Sequence, residues 1–293
     1  MTLVVSEISH LGIVMVGDSA VTELSEQGKT YSQAVKVQYS ERAKIGISMW
    51  GWAPKPSTNI KADRWLSDFL QTKVSNESDI EDVAWDLIVE ADRLFEGSEF
   101  AHSNWGRLAR GFHIAGYSQG QPRLWHIHCG HSHEHPHSLI LYKDFPENYA
   151  IAYRLSVNLG PSSDSTSAVD QFATFEFKRG LPLTDLTDNP FSSKPHNDYI
   201  KMLNAGHYFH LRNGEYRTFS KIYDKKIRQI RRAGAIQYEE SLDDRLLFYK
   251  ELVVSVSNIL RRQGMPPRVN DRLSAFAFNE DGLQIDERLQ VPI

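Results

Sequence analysis

Leu3 to Ile8 is rich in β-branched residues, and Gly12-Ile13-Val14-Met15-Val16 follows after a short Ser9-His10-Leu11 turn. This pattern predicts that the chain opens with a β-hairpin. The second strand ends at Gly17-Asp18-Ser19. Val35 to Tyr39 and Lys44 to Met49 predict a further pair of strands, closed by Trp50-Gly51-Trp52 and the breaker Pro54-Lys55-Pro56. Helical periodicity then takes over. Ile60, Trp65, Leu66, Phe69 and Leu70 form one apolar face, and Ile80, Val83, Ala84, Leu87, Ile88, Ala91 and Leu94 form a second. Ser78 and Glu81 read as a capping box for that second helix.

Phe112 to Tyr117 and Arg123 to His128 predict another hairpin, turning at Ser118-Gln119-Gly120-Gln121-Pro122. From about Gly180 to Tyr238 the chain is polar and irregular, with turns at Asn189-Pro190, Lys194-Pro195 and Asn213-Gly214, and reads as an insertion at about 180–240. Asp244 to Arg262 predicts a strong helix carrying Leu246, Leu247, Val253, Val254 and Leu260 and stopping at Gly264. Ser274 to Phe278, followed by Glu280-Asp281-Gly282, gives a terminal hairpin. Hairpins, two helices, a hairpin, a helix and a last hairpin fit an α+β chain of two antiparallel sheets stacked between helical layers, a four-layer αββα sandwich. We expect 1–293 to form a single domain.

Composition narrows the function classes. The 293 residues are 41% hydrophobic and 24% charged, with 33 Lys+Arg against 37 Asp+Glu, which describes an ordinary globular protein. A net charge of -4 provides no basic footprint, so neither nucleic acid nor an anionic membrane is expected as the main partner. Cys129 is the one cysteine and cannot form an intramolecular disulfide, which agrees with a reducing compartment. Glu7 interrupts the apolar start and no basic stretch precedes it, so no secretory signal is expected. No run approaches the roughly 18 apolar residues a spanning helix needs. The expected location is the cytoplasm.

Thr2-Leu3-Val4-Val5 followed by Gly12-Ile13-Val14-Met15-Val16-Gly17-Asp18-Ser19 resembles the start of proteasome β-subunits and their bacterial relatives, which are N-terminal nucleophile hydrolases. That family places an Asp-Ser pair sixteen residues after its N-terminal Thr, and Asp18 follows Thr2 by sixteen. Phe112 to Ile127 is similar to the family's central hairpin, and Leu273 to Leu283 to its last. Residues 180 to 240 lie outside the resemblance. Ala20 stands where many relatives have Arg, and the Asp-x-x-Ser-Gly that supports the Thr amine is not recognisable between Arg262 and Asp271.

The resemblance implies an N-terminal threonine amidohydrolase or peptidase of the Ntn-hydrolase fold. Removal of Met1 would expose the Thr2 amine, which can serve as base for its own hydroxyl because an α-amino group titrates at about 7.7 to 8.0. By the same resemblance Asp18 and Lys36 are the polar partners of Thr2, Gly51 offers an oxyanion N–H, and Ser162 within Leu159-Gly160-Pro161-Ser162-Ser163 is the other supporting serine. Trp50 and Trp52 flank Gly51 where relatives usually have small residues, which implies an aromatic-lined site. No cofactor is expected. The implied partners are a peptide or amide substrate and further copies of the chain in a homo-oligomeric ring or helical stack. Two other readings stay open: a catalytically silent assembly protein, and a hydrolase of the same nucleophile type acting on a small non-peptide amide.

Taken singly, Thr2 is a common second residue, Asp18 a common turn residue, Lys36 a common solvated strand residue, and Gly51 could serve ring packing. It is their combination that points to chemistry. His126, His128, Cys129, His131, His133, Glu134, His135 and His137 form a second dense feature. Such a tract can bind zinc, copper or nickel, but no catalytic zinc signature is present, and a solvated loop open to protonation is the broader reading. Lys221, Lys225, Lys226, Arg228, Arg231 and Arg232, interleaved with Ile222, Ile227 and Ile230, read as a solvated amphipathic helix, with a subunit contact or an anionic partner as the sharper option.

Overall fold

A computed structural model describes residues 2–25, 28–51, 61–96, 111–129, 139–142, 176–179, 181–182, 207–214, 218–219, 221–223, 225–226, 241–265 and 269–287. The opening hairpin pairs β1 (Leu3–Ser9) with β2 (Gly12–Asp18), Val4 opposite Gly17. Its turn needs a glycine. Gly12 has φ +145, and a Cβ there would stand 2.5 Å from the Phe278 carbonyl.

Seven strands make the first sheet, in the order β11, β10, β12, β1, β2, β13, β14. Here β10 is Glu176–Arg179, β11 Leu181–Pro182, β12 His207–Gly214, β13 Leu273–Asn279 and β14 Gly282–Glu287. The second sheet runs β5 (Val37–Ser40), β6 (Ile45–Trp50), β7 (Gly111–Ser118), β8 (Gln121–Cys129), β9 (Leu139–Tyr142). All the pairings in these two sheets are antiparallel.

Helices cover the outer faces. α1 (Ala62–Thr72) and α2 (Ile80–Glu96) bury Leu66, Phe69, Val83, Leu87 and Ala91 against Ile47, Met49, Phe112, Ile114 and Ile127 of the second sheet. α3 (Leu242–Arg262) buries Leu246, Tyr249, Val253 and Val256 against Val5, Val14, Val16, Ala275 and Ala277 of the first. Between the sheets, a Cβ on Gly46 would meet Met15 Sδ at 2.5 Å and the Phe276 ring at 2.9 Å, so the two sheets close directly on one another. The chain is thus the four-layer αββα sandwich its element order predicts. Among the described residues no helix is long and apolar enough to cross a membrane.

Two local expectations are corrected, and one hairpin is added to those the sequence predicts. A hairpin of β3 (Ala20–Ser25) and β4 (Gly28–Gln33) fills the interval between β2 and β5. Its mixed polar composition gives no apolar run to mark it. Ser78 does not cap α2: the helix begins at Ile80, Asp79 Oδ1 accepts the Asp82 N–H at 2.9 Å, and Ser78 Oγ accepts the Ser75 N–H. Part of the stretch read as irregular is ordered into the sheet, since β12 pairs with β1 along its length, Leu3 opposite Gly214 and Ile8 opposite Phe209. The Asn213-Gly214 signal marks the end of this strand.

Candidate functional site

The start of β1, the end of β2 and the residues entering β5 meet at one end of the sandwich. Asp18 closes β2 with no exposed surface, and Lys36, directly before β5, is 3% exposed. Their side chains form a buried ion pair, Lys36 Nζ to Asp18 Oδ1 at 2.9 Å. Lys36 Nζ also donates to the Ala20 carbonyl at 2.5 Å. The second Asp18 oxygen accepts the Ala20 N–H at 2.8 Å. Oδ1 takes a further donor, the Leu3 N–H at 2.7 Å. The carboxylate therefore binds the residue that follows Thr2.

Burial holds the Lys36 ammonium below its ordinary value of 10.5, and the adjacent Asp18 charge and hydrogen bond oppose that shift. The lowered value makes the Lys36 ammonium a stronger acid than a solvated one, readier to release its proton. Thr2 itself is half-buried and lies just ahead of β1. Gly17 is tightly enclosed here: a Cβ on it would meet Val37 at 3.1 Å, Val4 at 3.3 Å and Lys36 Cβ at 3.4 Å.

Gly51 follows β6 with φ +66, a left-handed turn that glycine adopts without a steric penalty. The same strand reaches the ion pair, because the Met49 N–H donates to the Lys36 carbonyl at 2.9 Å. Trp50 is buried, with its ring 5.9 Å from that of His126 inside the sandwich. His126 pairs across the sheet with His113, whose Nδ1 is 2.9 Å from Ser6 Oγ. These two histidines are interior residues of β7 and β8. Residues 130–138 of the His-rich tract and Trp52 lie outside the described residues. So does Ser162. Among the described residues no group of three His, Cys, Asp or Glu side chains could hold a metal ion.

The sequence pattern missed Asn270. Its Oδ1 accepts the Ser19 N–H at 3.0 Å and its Nδ2 donates to Ser19 Oγ at 2.9 Å, and the Ser19 N–H also reaches the Arg272 carbonyl. Asn270 sits between Arg262 and Asp271, and a lone Asn before a strand carries no local signal of a contact across the whole chain.

No family model matches the chain, and no curated protein matches it. Among solved structures, an Anbu (Gly-1) mutant from Hyphomicrobium sp. strain MC1 aligns at 11% identity, covering 98% of this chain and 88% of that one, with a TM-score of 0.49. Anbu (ancestral beta-subunit) from Yersinia bercovieri aligns at 12% identity over 94% and 80%, with a TM-score of 0.45. The helical assembly of the Anbu complex from Pseudomonas aeruginosa aligns at 12% identity over 99% and 86%, with a TM-score of 0.44. The layer architecture rests on the strand pairings and cores given above.

Proposed function

We propose that the chain is an N-terminal threonine amidohydrolase of the proteasome β-subunit type, one domain over 1–293, with Thr2 as nucleophile once Met1 is removed. The observation that carries this reading is the buried Lys36–Asp18 pair, whose carboxylate also accepts the N–H of the residue after Thr2. A threonine hydroxyl needs a base and a nearby positive charge to become a nucleophile, and this arrangement supplies the charge at the first residue of β1.

In the reaction, Thr2 Oγ attacks an amide carbonyl while its proton passes to the Thr2 amine. The Lys36 ammonium favours the developing alkoxide, and Asp18 keeps Lys36 oriented. The Gly51 N–H stabilises the tetrahedral oxyanion, a contribution typically worth about 3 kcal/mol. The protonated amine then gives its proton to the leaving nitrogen, leaving an ester on Thr2 that water hydrolyses. The substrate is a peptide or another amide. Copies of the chain assemble into a homo-oligomeric ring or helical stack in the cytoplasm.

The test is the intact and N-terminal mass of the purified native protein, with and without a β-lactone or epoxyketone probe. A chain beginning at Thr2 that gains one probe mass on that residue is expected, and Thr2→Ala should abolish labelling while leaving assembly intact. Retained Met1, or a free Thr2 that never reacts, would overturn the hydrolase and favour a silent assembly subunit.

A further inference from the structure

Residues 34–36 join β4 to β5 outside any strand ladder, yet their backbone is held from three directions. The Ala34 N–H donates to the Ser19 carbonyl at 2.9 Å, and the Lys36 carbonyl accepts from Met49. Val35 between them joins no strand ladder among the described residues. Its N–H donates instead to Asp63 Oδ2 at 3.1 Å, a side chain reaching in from the first turn of α1. The Val35 carbonyl accepts from Gln38 Nε2 at 3.4 Å, and the same Nε2 donates to the Asp63 carbonyl at 2.7 Å.

Asp63 is 1% exposed and Gln38 6%. A carboxylate buried that deeply is costly unless its oxygens are bonded. Both are: Oδ2 takes Val35, and Oδ1 takes the Arg64 N–H at 3.0 Å at the helix N-terminus, where negative charge is favoured. The result is a latch in which a helix of the outer layer grips the residue immediately before Lys36.

We propose that Asp63 and Gln38 are positioning residues for Lys36, fixing its backbone so that Nζ reaches Asp18 and the Ala20 carbonyl at once. A lysine stem has four rotatable bonds, so the placement of its Cα decides whether both contacts form together. Asp63 and Gln38 touch no reacting atom. They act through Val35. The inference builds on the reading of Lys36 as the partner of Thr2, but the latch itself can be read without any turnover.

The experiment follows the Lys36 side chain by NMR titration in lysine-labelled protein, assigned with Lys36→Arg, alongside the rate of Thr2 labelling by the β-lactone. In Asp63→Ala and in Gln38→Leu, the Lys36 midpoint should move toward its solvated value by about 1 pH unit as the ammonium gains water. Labelling of Thr2 should slow by about 10-fold or more, the scale expected for a misplaced catalytic group. Asp63→Asn, which retains one acceptor, should fall between Asp63→Ala and the unmutated chain on both readouts. An unmoved Lys36 titration in either folded variant overturns the latch, and Gln38→Leu decides the matter alone if Asp63→Ala does not fold. A wild-type chain that never labels would sink the threonine mechanism, while the Lys36 titration would still rule on the latch.

Discussion

Lys36 and Asp18 are a pair whose members cannot be removed one at a time without cost. Asp18 is fully buried, and it satisfies an ammonium and two backbone N–H groups. Asp18→Ala would strand the Lys36 charge, and a broken buried pair typically costs about 3–5 kcal/mol. We expect urea unfolding to show a loss of that order for Asp18→Ala, and a smaller further loss when Lys36→Met is added to it; strictly additive losses would mean the pair is not coupled. The pH dependence has a definite sign. Lys36 is held below 10.5 in the folded state, so between its folded and unfolded values the unfolded chain binds more protons, and stability rises with pH across that window. At this scale Asp18 is legible from its interval to Thr2, and Lys36 from the strand and glycine that follow it. Asn270 and Asp63 are not, because each acts through a contact that no spacing rule announces.

At the scale of elements, α3 is fastened to β1 by more than its apolar stripe. Glu7, 1% exposed, accepts from Arg245 Nε at 2.8 Å, from a second Arg245 nitrogen, and from the Tyr249 hydroxyl at 2.5 Å. Burial and the Glu7 charge push the Tyr249 phenol well above 10.0, so it remains the donor throughout the ordinary pH range. Tyr249→Phe should lower stability by about 1–3 kcal/mol, the range for leaving a buried group short of a hydrogen bond. Arg245→Met should cost more, since it leaves the carboxylate uncompensated. Thermal unfolding of the two variants checks the order, and an unchanged midpoint for Tyr249→Phe would show that Arg245 suffices. In the sequence Glu7 looks like an interruption of an apolar run. Its partners, on a helix more than 200 residues away, turn the interruption into an anchor.

Over the whole molecule, the two sheets meet at a face with little spare volume. Gly46 of β6 lies against Met15 of β2 and Phe276 of β13, and Tyr39 packs its ring 4.9 Å from Phe278. Gly46→Ala would place a methyl group inside contact distance of both neighbours, and overpacking of this kind costs typically about 1–3 kcal/mol. A shifted urea midpoint with an unchanged slope is the expected result; an unmoved midpoint would mean that the sheets yield at this point. The loss should appear in global unfolding rather than in a local opening, because Gly46 bridges both layers.

Periodicity and turn residues along the chain determined the hairpins at both ends and in the middle, the two amphipathic helices on one side, the long helix on the other, and so the layer order. These are local properties, because the side of an element that must leave water is written in residues two, three or four apart. Tertiary structure alone decided that β12 lies beside β1, that Asn270 closes on Ser19, and that Asp63 grips Val35. Each of these joins distant segments through a backbone group or one polar side chain, and such pairings are selected by which groups remain unsatisfied once the layers have packed.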